Sequence, residues 1–231
     1  MTLRCVLAPV GVAAAAAVVL SAPAAHGSVI AQSVAHDASF NALGLAEVFV
    51  AQGRIGNNQM NGDQEADLGD TSAAPAAQKQ FQWGSNQPIP FTLTYDASTR
   101  AVTFDIFGGA PMSYTAGGTD PVAGMAIRTR ATTRYAGTSV DISGLVVDGM
   151  SPSIDSVGAA NPGDGVEYLL LTGPAFADGF TMTGFATLEF DMGDMPNGSH
   201  LAFQMKAVVP GPGALGLAAL APAAFLRRRR A

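Results

Sequence analysis

The chain has 231 residues, a formal charge of −6 and one cysteine, Cys5, which lies near the N-terminus, so a disulfide scaffold, a thiolate zinc site and a cysteine nucleophile are excluded from the remainder. Its charge is uneven: Arg4 and the run Arg227, Arg228, Arg229 and Arg230 hold five of the twelve basic residues, leaving seven in the middle against all eighteen acidic ones. Such a surface repels nucleic-acid phosphates and anionic lipid head groups, and so argues against nucleic acid as a partner.

Residues 1–27 have the three parts of a secretory signal peptide: Arg4 in a short basic start, an apolar run from Val6 to Leu20, and the small-residue stretch SAPAAHG. A run this short falls below the roughly twenty residues that a bilayer core requires, so it reads as an export leader rather than a permanent span. The Sec export machinery is its expected partner, with cleavage after Ala24 or Gly27. Cys5 precedes the apolar run, where it cannot serve as the lipid-bearing cysteine of a lipoprotein.

From Ser28 to Val208 the dominant signal is a series of short alternating or β-branched runs punctuated by Gly, Pro, Asn and Asp, and a chain of this length can bury a core without staples. Strands are expected at Leu45–Ala51, Gln80–Trp83, Phe91–Tyr95, Ala101–Phe107, Val122–Arg130, Ser139–Val147, Val166–Leu171, Phe180–Asp191 and His200–Val208. The clearest hairpin is PFTLTYDASTRAVTFDIFGG: Phe91, Leu93 and Tyr95 share one face, Val102, Phe104 and Ile106 share another, and Asp96 to Arg100 connect them. Phe180, Met182, Gly184, Ala186, Leu188 and Phe190 keep period two, as do Leu201, Phe203 and Met205. No helical period persists for three turns and no internal repeat is visible. The expected fold is all-β, an antiparallel β-sandwich of jelly-roll-like type, with residues 56–78 and 151–165 as long loops outside it.

Candidate chemistry in this middle segment is thin. In GNNQMNGDQEADLGD, Asn61, Asp63, Glu65 and Asp67 place oxygen donors at alternate positions, which makes a candidate calcium loop although the Gly and distal Glu of an EF-hand are absent. Trp83, with Phe81 and Tyr95, makes a candidate aromatic platform for a sugar, against the usual fate of such residues in a core. Arg128 and Arg130 on one strand face, with Arg134 following, make a candidate anion clamp or a counterweight to the acidic surface. Glu189 and Asp191 are spaced as a carboxylate pair on one strand face. His36 and His200 lie in no recognisable nucleophile motif, and no G-x-S-x-G occurs. Asn197-Gly198-Ser199 matches a glycosylation sequon.

Residues 209–231 read VVPGPGALGLAALAPAAFLRRRRA from Val208 on: a proline-bounded turn, an apolar stretch from Ala214 to Leu226 broken by Pro222, and four arginines closing the sequence. A helix of that length rises only about 20 Å, less than the roughly 30 Å hydrocarbon core, so it suits a transient inner-membrane anchor with the arginines snorkelling to the cytoplasmic head groups. The order of Val209-Pro210-Gly211-Pro212, the apolar segment and Arg227 to Arg230 resembles the PEP-CTERM sorting signal of exosortase-processed bacterial proteins. Gly211 stands where that family's eponymous glutamate would be. The resemblance implies that exosortase, an integral membrane cysteine protease, recognises the tail and cuts near Pro-Gly-Pro, with release or transfer to the cell surface. The middle in turn resembles the choice-of-anchor type of bacterial surface domains, a family label that implies a surface module without a known reaction.

The expectation is an exported, non-enzymatic surface or extracellular-matrix protein with no obligate cofactor. The alternatives are a carbohydrate-binding module acting on exopolysaccharide, with or without calcium, and an exported hydrolase.

Overall fold

The computed structural model of the chain describes residues 28–56, 64–70, 75–107, 109–161, 165–196 and 198–211. Residues 1–27, where the sequence suggests a signal peptide, and the segment from Pro212 onward lie outside the described residues. In chain order the elements are β1 (Ile30–Ala35), α1 (His36–Asn41), β2 (Leu45–Ile55), β3 (Gln64–Gly69), β4 (Ala77–Gln80), β5 (Ile89–Asp96), β6 (Ala101–Ile106), β7 (Met112–Thr115), β8 (Gly124–Ala131), β9 (Ser139–Val147), β10 (Val157–Ala160), β11 (Val166–Thr172), β12 (Gly179–Glu189) and β13 (Leu201–Pro210). A 3-10 turn at Pro174–Phe176 precedes β12. Among the described residues no helix is long and apolar enough to cross a membrane.

The strands form two antiparallel sheets, one in the order β1-β11-β8-β13-β2-β3-β4 and the other β10-β9-β12-β5-β6-β7, consistent with a β-sandwich. Alternation in the sequence decides what each strand buries. Phe91, Leu93 and Tyr95 of β5, Val102, Phe104 and Ile106 of β6, and Phe180, Met182, Ala186 and Leu188 of β12 join Phe203, Met205, Phe49 and Leu68 of the first sheet in a single core. The expected hairpin is present: Asp96 pairs with Ala101 and Phe91 with Ile106. Its turn is tied locally, because the Asp96 carboxylate accepts the amides of Ser98 and Thr99 at 2.8 and 3.1 Å.

Trp83 fixes how β2 is built. Its ring is fully buried, edge-on to Phe203 at 5.3 Å and to Phe81 at 4.7 Å. It lies so close across β2 that a Cβ on Gly53 would come within 2.2 Å of the ring and 2.5 Å of Phe203. Only glycine leaves that space, despite its entropic cost inside a strand.

Several expectations are corrected. Of the stretch 56–78 expected as an excursion, the described residues supply β3 and the start of β4, which pair with β2 and with each other. The expected strand at Gln80–Trp83 lies earlier, at Ala77–Gln80. The stretch 151–165 contributes β10, paired with β9. Strand β12 stops at Glu189, so Glu189 and Asp191 do not share a strand face. The last strand does not end at Val208 but continues through Pro210, paired with Leu45, and Gly211 is buried.

Candidate functional site

The acidic stretch that suggests a calcium loop divides in two. Asn61 and Asp63 lie outside the described residues; Glu65 and Asp67 sit on β3, opposite Arg54 and Gln52 of β2. Because residues two apart on a strand share a face, Glu65, Asp67, Arg54 and Gln52 form one polar patch with Gln78 of β4 and Gln204 of β13 on the side of the sheet away from Leu68 and Ala66.

Every member of this patch is committed to another. Gln204 donates to the Gln52 carbonyl oxygen at 3.0 Å, and Gln52 donates in turn to Asp67 Oδ2 at 2.6 Å. The Arg54 guanidinium donates to Glu65 Oε2 through Nε at 2.8 Å and also through Nη2, while its Nη1 donates to Ser199 Oγ at 2.9 Å. Gln78 adds a 2.9 Å bond to the same Glu65 oxygen, and Arg54 Nε lies 3.5 Å from Asp67 Oδ2. From the core side, Trp83 Nε1 donates to the Glu65 carbonyl at 3.0 Å, and the Trp83 amide donates to the Gln64 side chain. Arg54 therefore supplies the positive charge that a bound cation would otherwise bring to these carboxylates. Among the described residues no group of three or more His, Cys, Asp or Glu is placed to hold a metal ion.

Asp67 is the strained member. It is 1 % exposed, and its Oδ1 has no hydrogen-bond partner. Burial raises its pKa above the ordinary value, outweighing the bond from Gln52 and the charge of Arg54. A carboxyl that holds its proton more tightly folded than unfolded stabilises the fold below its unfolded pKa and loses that advantage as pH rises through its folded pKa. Asp67→Asn keeps an acceptor for Gln52 and removes the buried charge. Thermal unfolding of this variant is expected to be at least as high as the wild type at pH 7, with the difference shrinking as pH falls toward 4.

A second cluster fastens α1 to the same sheet face. The Arg128 guanidinium donates to both oxygens of Asp37 at 2.8 and 2.9 Å, Tyr168 donates to Asp37 Oδ1 at 2.5 Å, and Phe40 stacks on Tyr168 at 4.4 Å. Arg128 is thus spent on an internal carboxylate rather than left as half of an anion clamp with Arg130. Arg134 lies over the Tyr135 ring at 5.4 Å. The Arg128 bonds are the main reason that the Asp37 pKa falls to about 2, against the opposing effect of burial and with help from the Tyr168 hydroxyl. Its folded pKa lies below the ordinary 3.8, so its stabilisation is present above pH 3.8 and is lost as pH falls through about 2. Asp37→Asn is expected to abolish that acid-sensitive component, read as stability measured from pH 5 to pH 2.

The remaining candidates are scattered. Glu189 accepts from Ser139 at 2.9 Å, whereas Asp191 caps the following turn through the Gly193 amide at 2.8 Å. His200 shares a 2.9 Å bond with Thr132 Oγ1, and burial lowers its pKa, aided by Arg130 and Arg134. His36 is exposed at the start of α1. Of the sequon, Ser199 holds Arg54, while Asn197 lies outside the described residues.

Trp83 and Tyr95 take the usual fate of such residues and are buried in the core, so the candidate sugar platform does not form there. A different aromatic pair is exposed, on the outer face of the second sheet. Phe185 is opposite Pro90, and the Phe107 amide donates to the Pro90 carbonyl at 3.0 Å, so the two rings flank Pro90 across three strands. They are 44 % and 76 % exposed. Thr92, Thr94, Thr103, Thr181 and Thr183 carry the same face away from them, and a recess of about 150 Å³ lies among Pro90, Thr92, Asp105 and Phe107. Period two conceals this pair in the sequence, because Phe185 and Phe107 fall at polar-phase positions of otherwise regular strands.

No protein-family model matches this chain, and neither does any curated protein. The fold and its polar patches define an all-β, sandwich-like protein whose buried charges are matched internally.

Proposed function

We propose that this protein is an exported bacterial surface or extracellular-matrix component. Its β domain, which we read as jelly-roll-like, serves structure or interaction rather than catalysis, and its tail directs sorting and cleavage by an exosortase. The observation that carries the reading is the order of features in this part of the chain: strand β13 runs into the Pro-Gly-Pro and ends on its first proline, Pro210, and the apolar stretch and Arg227 to Arg230 come after it. The apolar stretch is too short for a comfortable permanent anchor and suits one that is held and then removed. Sec export delivers the chain, and the arginines keep the tail at the inner membrane until the protease acts. Fractionation of the producing cells tests this. Wild type is expected at the surface or in the medium, and a variant with Arg227, Arg228, Arg229 and Arg230 changed to alanine is expected to lose tail-dependent processing. Identical size and distribution of the two proteins would contradict the proposal.

The Phe185–Pro90–Phe107 face favours a second reading, a carbohydrate-binding module acting on exopolysaccharide. Aromatic faces pack on pyranose rings, and the neighbouring threonine hydroxyls suit sugar hydroxyls. This reading does not draw on Glu65 and Asp67 for calcium, since Arg54 and Gln52 already engage both carboxylates and they lie in the other sheet. A glycan array with and without chelator separates the readings: binding lost in Phe185→Ala with Phe107→Ala supports the second, and no binding under any condition removes it.

A further inference from the structure

Gly211, the residue that departs from Pro-Glu-Pro, has a structural reason to be glycine. Strand β13 is held on both sides as far as Val208, which pairs with Gly124 of β8; Val209 and Pro210 then pair with Ala46 and Leu45 of β2 alone. Immediately beyond, Gly211 is buried against Gly44. A Cβ at position 211 would come within 2.1 Å of the Gly44 carbonyl oxygen and 3.1 Å of its carbon. The obstacle is backbone, not the yielding tip of a side chain.

That backbone is itself fixed. Gly44 adopts the left-handed conformation (φ 64°), and its amide donates to the Asn41 carbonyl at 3.2 Å while the Leu43 amide donates to Phe40 at 3.0 Å. These bonds close α1, which Asp37, Arg128, Phe40 and Tyr168 clamp to the sheet. Glutamate at 211 has no room unless the end of β13 lifts away.

We propose that Gly211 is a latch: it seats the Pro210–Gly211 segment on the folded domain, so that the sandwich restrains processing of the tail until the Leu45–Pro210 end of β13 releases. The proposal rests on reading the tail as a processing signal. Cleavage breaks one peptide bond; its acyl carbon passes through the protease thiol to water or to a surface nucleophile, and the tail departs with the freed amine. A protease must take that bond in extended, unpaired form, whereas here Pro210 is still paired with Leu45. Release of the strand end therefore precedes cutting, and its equilibrium sets the processing rate.

Two measurements decide it. In the purified full-length chain, amide hydrogen exchange is followed at Ala46, Glu47 and Val209, which lie in the paired end of β13 and β2. The wild type is expected to protect them, and Gly211→Glu is expected to cost at least about tenfold in protection there while the β5–β6 hairpin is unchanged. Equal protection in the two proteins overturns the latch. If Gly211→Glu does not fold, a Gly-Ser-Gly-Ser insertion between Val209 and Pro210 serves, since it leaves the motif intact and carries it off the domain. In cells bearing the protease, pulse-chase of the insertion variant is expected to show processing at least about threefold faster than wild type, and equal rates overturn the proposal. If neither protein is ever cut, the processing reading fails, and the exchange measurement still decides whether the segment is latched.

Discussion

Arg54→Ala is expected to destabilise the domain by about 3–5 kcal/mol, because it leaves two buried carboxylates without their cation. Glu65 loses two donors at once, and Asp67, already short of a partner for Oδ1, loses its nearby positive charge. In a domain of this size the drop in Tm should be roughly 10 °C, measurable by circular dichroism. Removing every charge of the patch together is a different matter. Arg54→Met with Glu65→Leu and Asp67→Asn is expected to recover most of the loss, since a buried ion pair often does no better than apolar groups of similar volume. Failure of the triple variant to recover would mean that the network specifies the pairing of β2 with β3 rather than merely tolerating its own charges.

Trp83→Ala is the second large effect, expected at about 3–5 kcal/mol from the cavity left in the core. The ring fills the space over Gly53 and against Phe203, and its Nε1 satisfies the Glu65 carbonyl. Because Arg54 and Trp83 both act on Glu65, the cost of the double variant should depart from the sum of the two single costs. Trp83 is the only tryptophan in the chain, so its fluorescence reports this directly: emission should be blue-shifted in the folded protein and move to the red on unfolding. A platform role for Trp83 would instead give a variant of wild-type stability that had lost a ligand, and that outcome would contradict the packing described for it.

Strands whose apolar residues alternate over six or more positions were readable directly from the sequence, and β9 and the β5–β6 hairpin fall where alternation puts them. The unreadable ones are short or disguised. QEADLG offers only Ala66 and Leu68 to the core, and its charges resemble a solvated loop until Arg54 is brought opposite by the β2–β3 pairing. MSYT and VGAA, which form β7 and β10, have too few residues to show a period. Helix α1 is six residues long and is held by contacts to Arg128 and Tyr168, both distant in sequence. A local reading has no access to such partners.

The candidate site was legible in part for the same reason. Glu65 and Asp67 stood out as acids, but their engagement with Arg54 and Gln52 depends on register. The departure at Gly211 was visible as a departure; its cause, the carbonyl of Gly44, lies across a strand pair 167 positions away in the chain. Glycine at this one position thus has a cause in the fold of the domain.

The most direct test of the proposed sorting is the intact mass of the protein from its own cells, with peptide mapping of both ends. Mature molecules are expected to begin after Ala24 or Gly27 and to lack everything from Ala214 onward. If the segment from Ala214 to Ala231 remains attached to every molecule, exosortase processing of this chain is wrong.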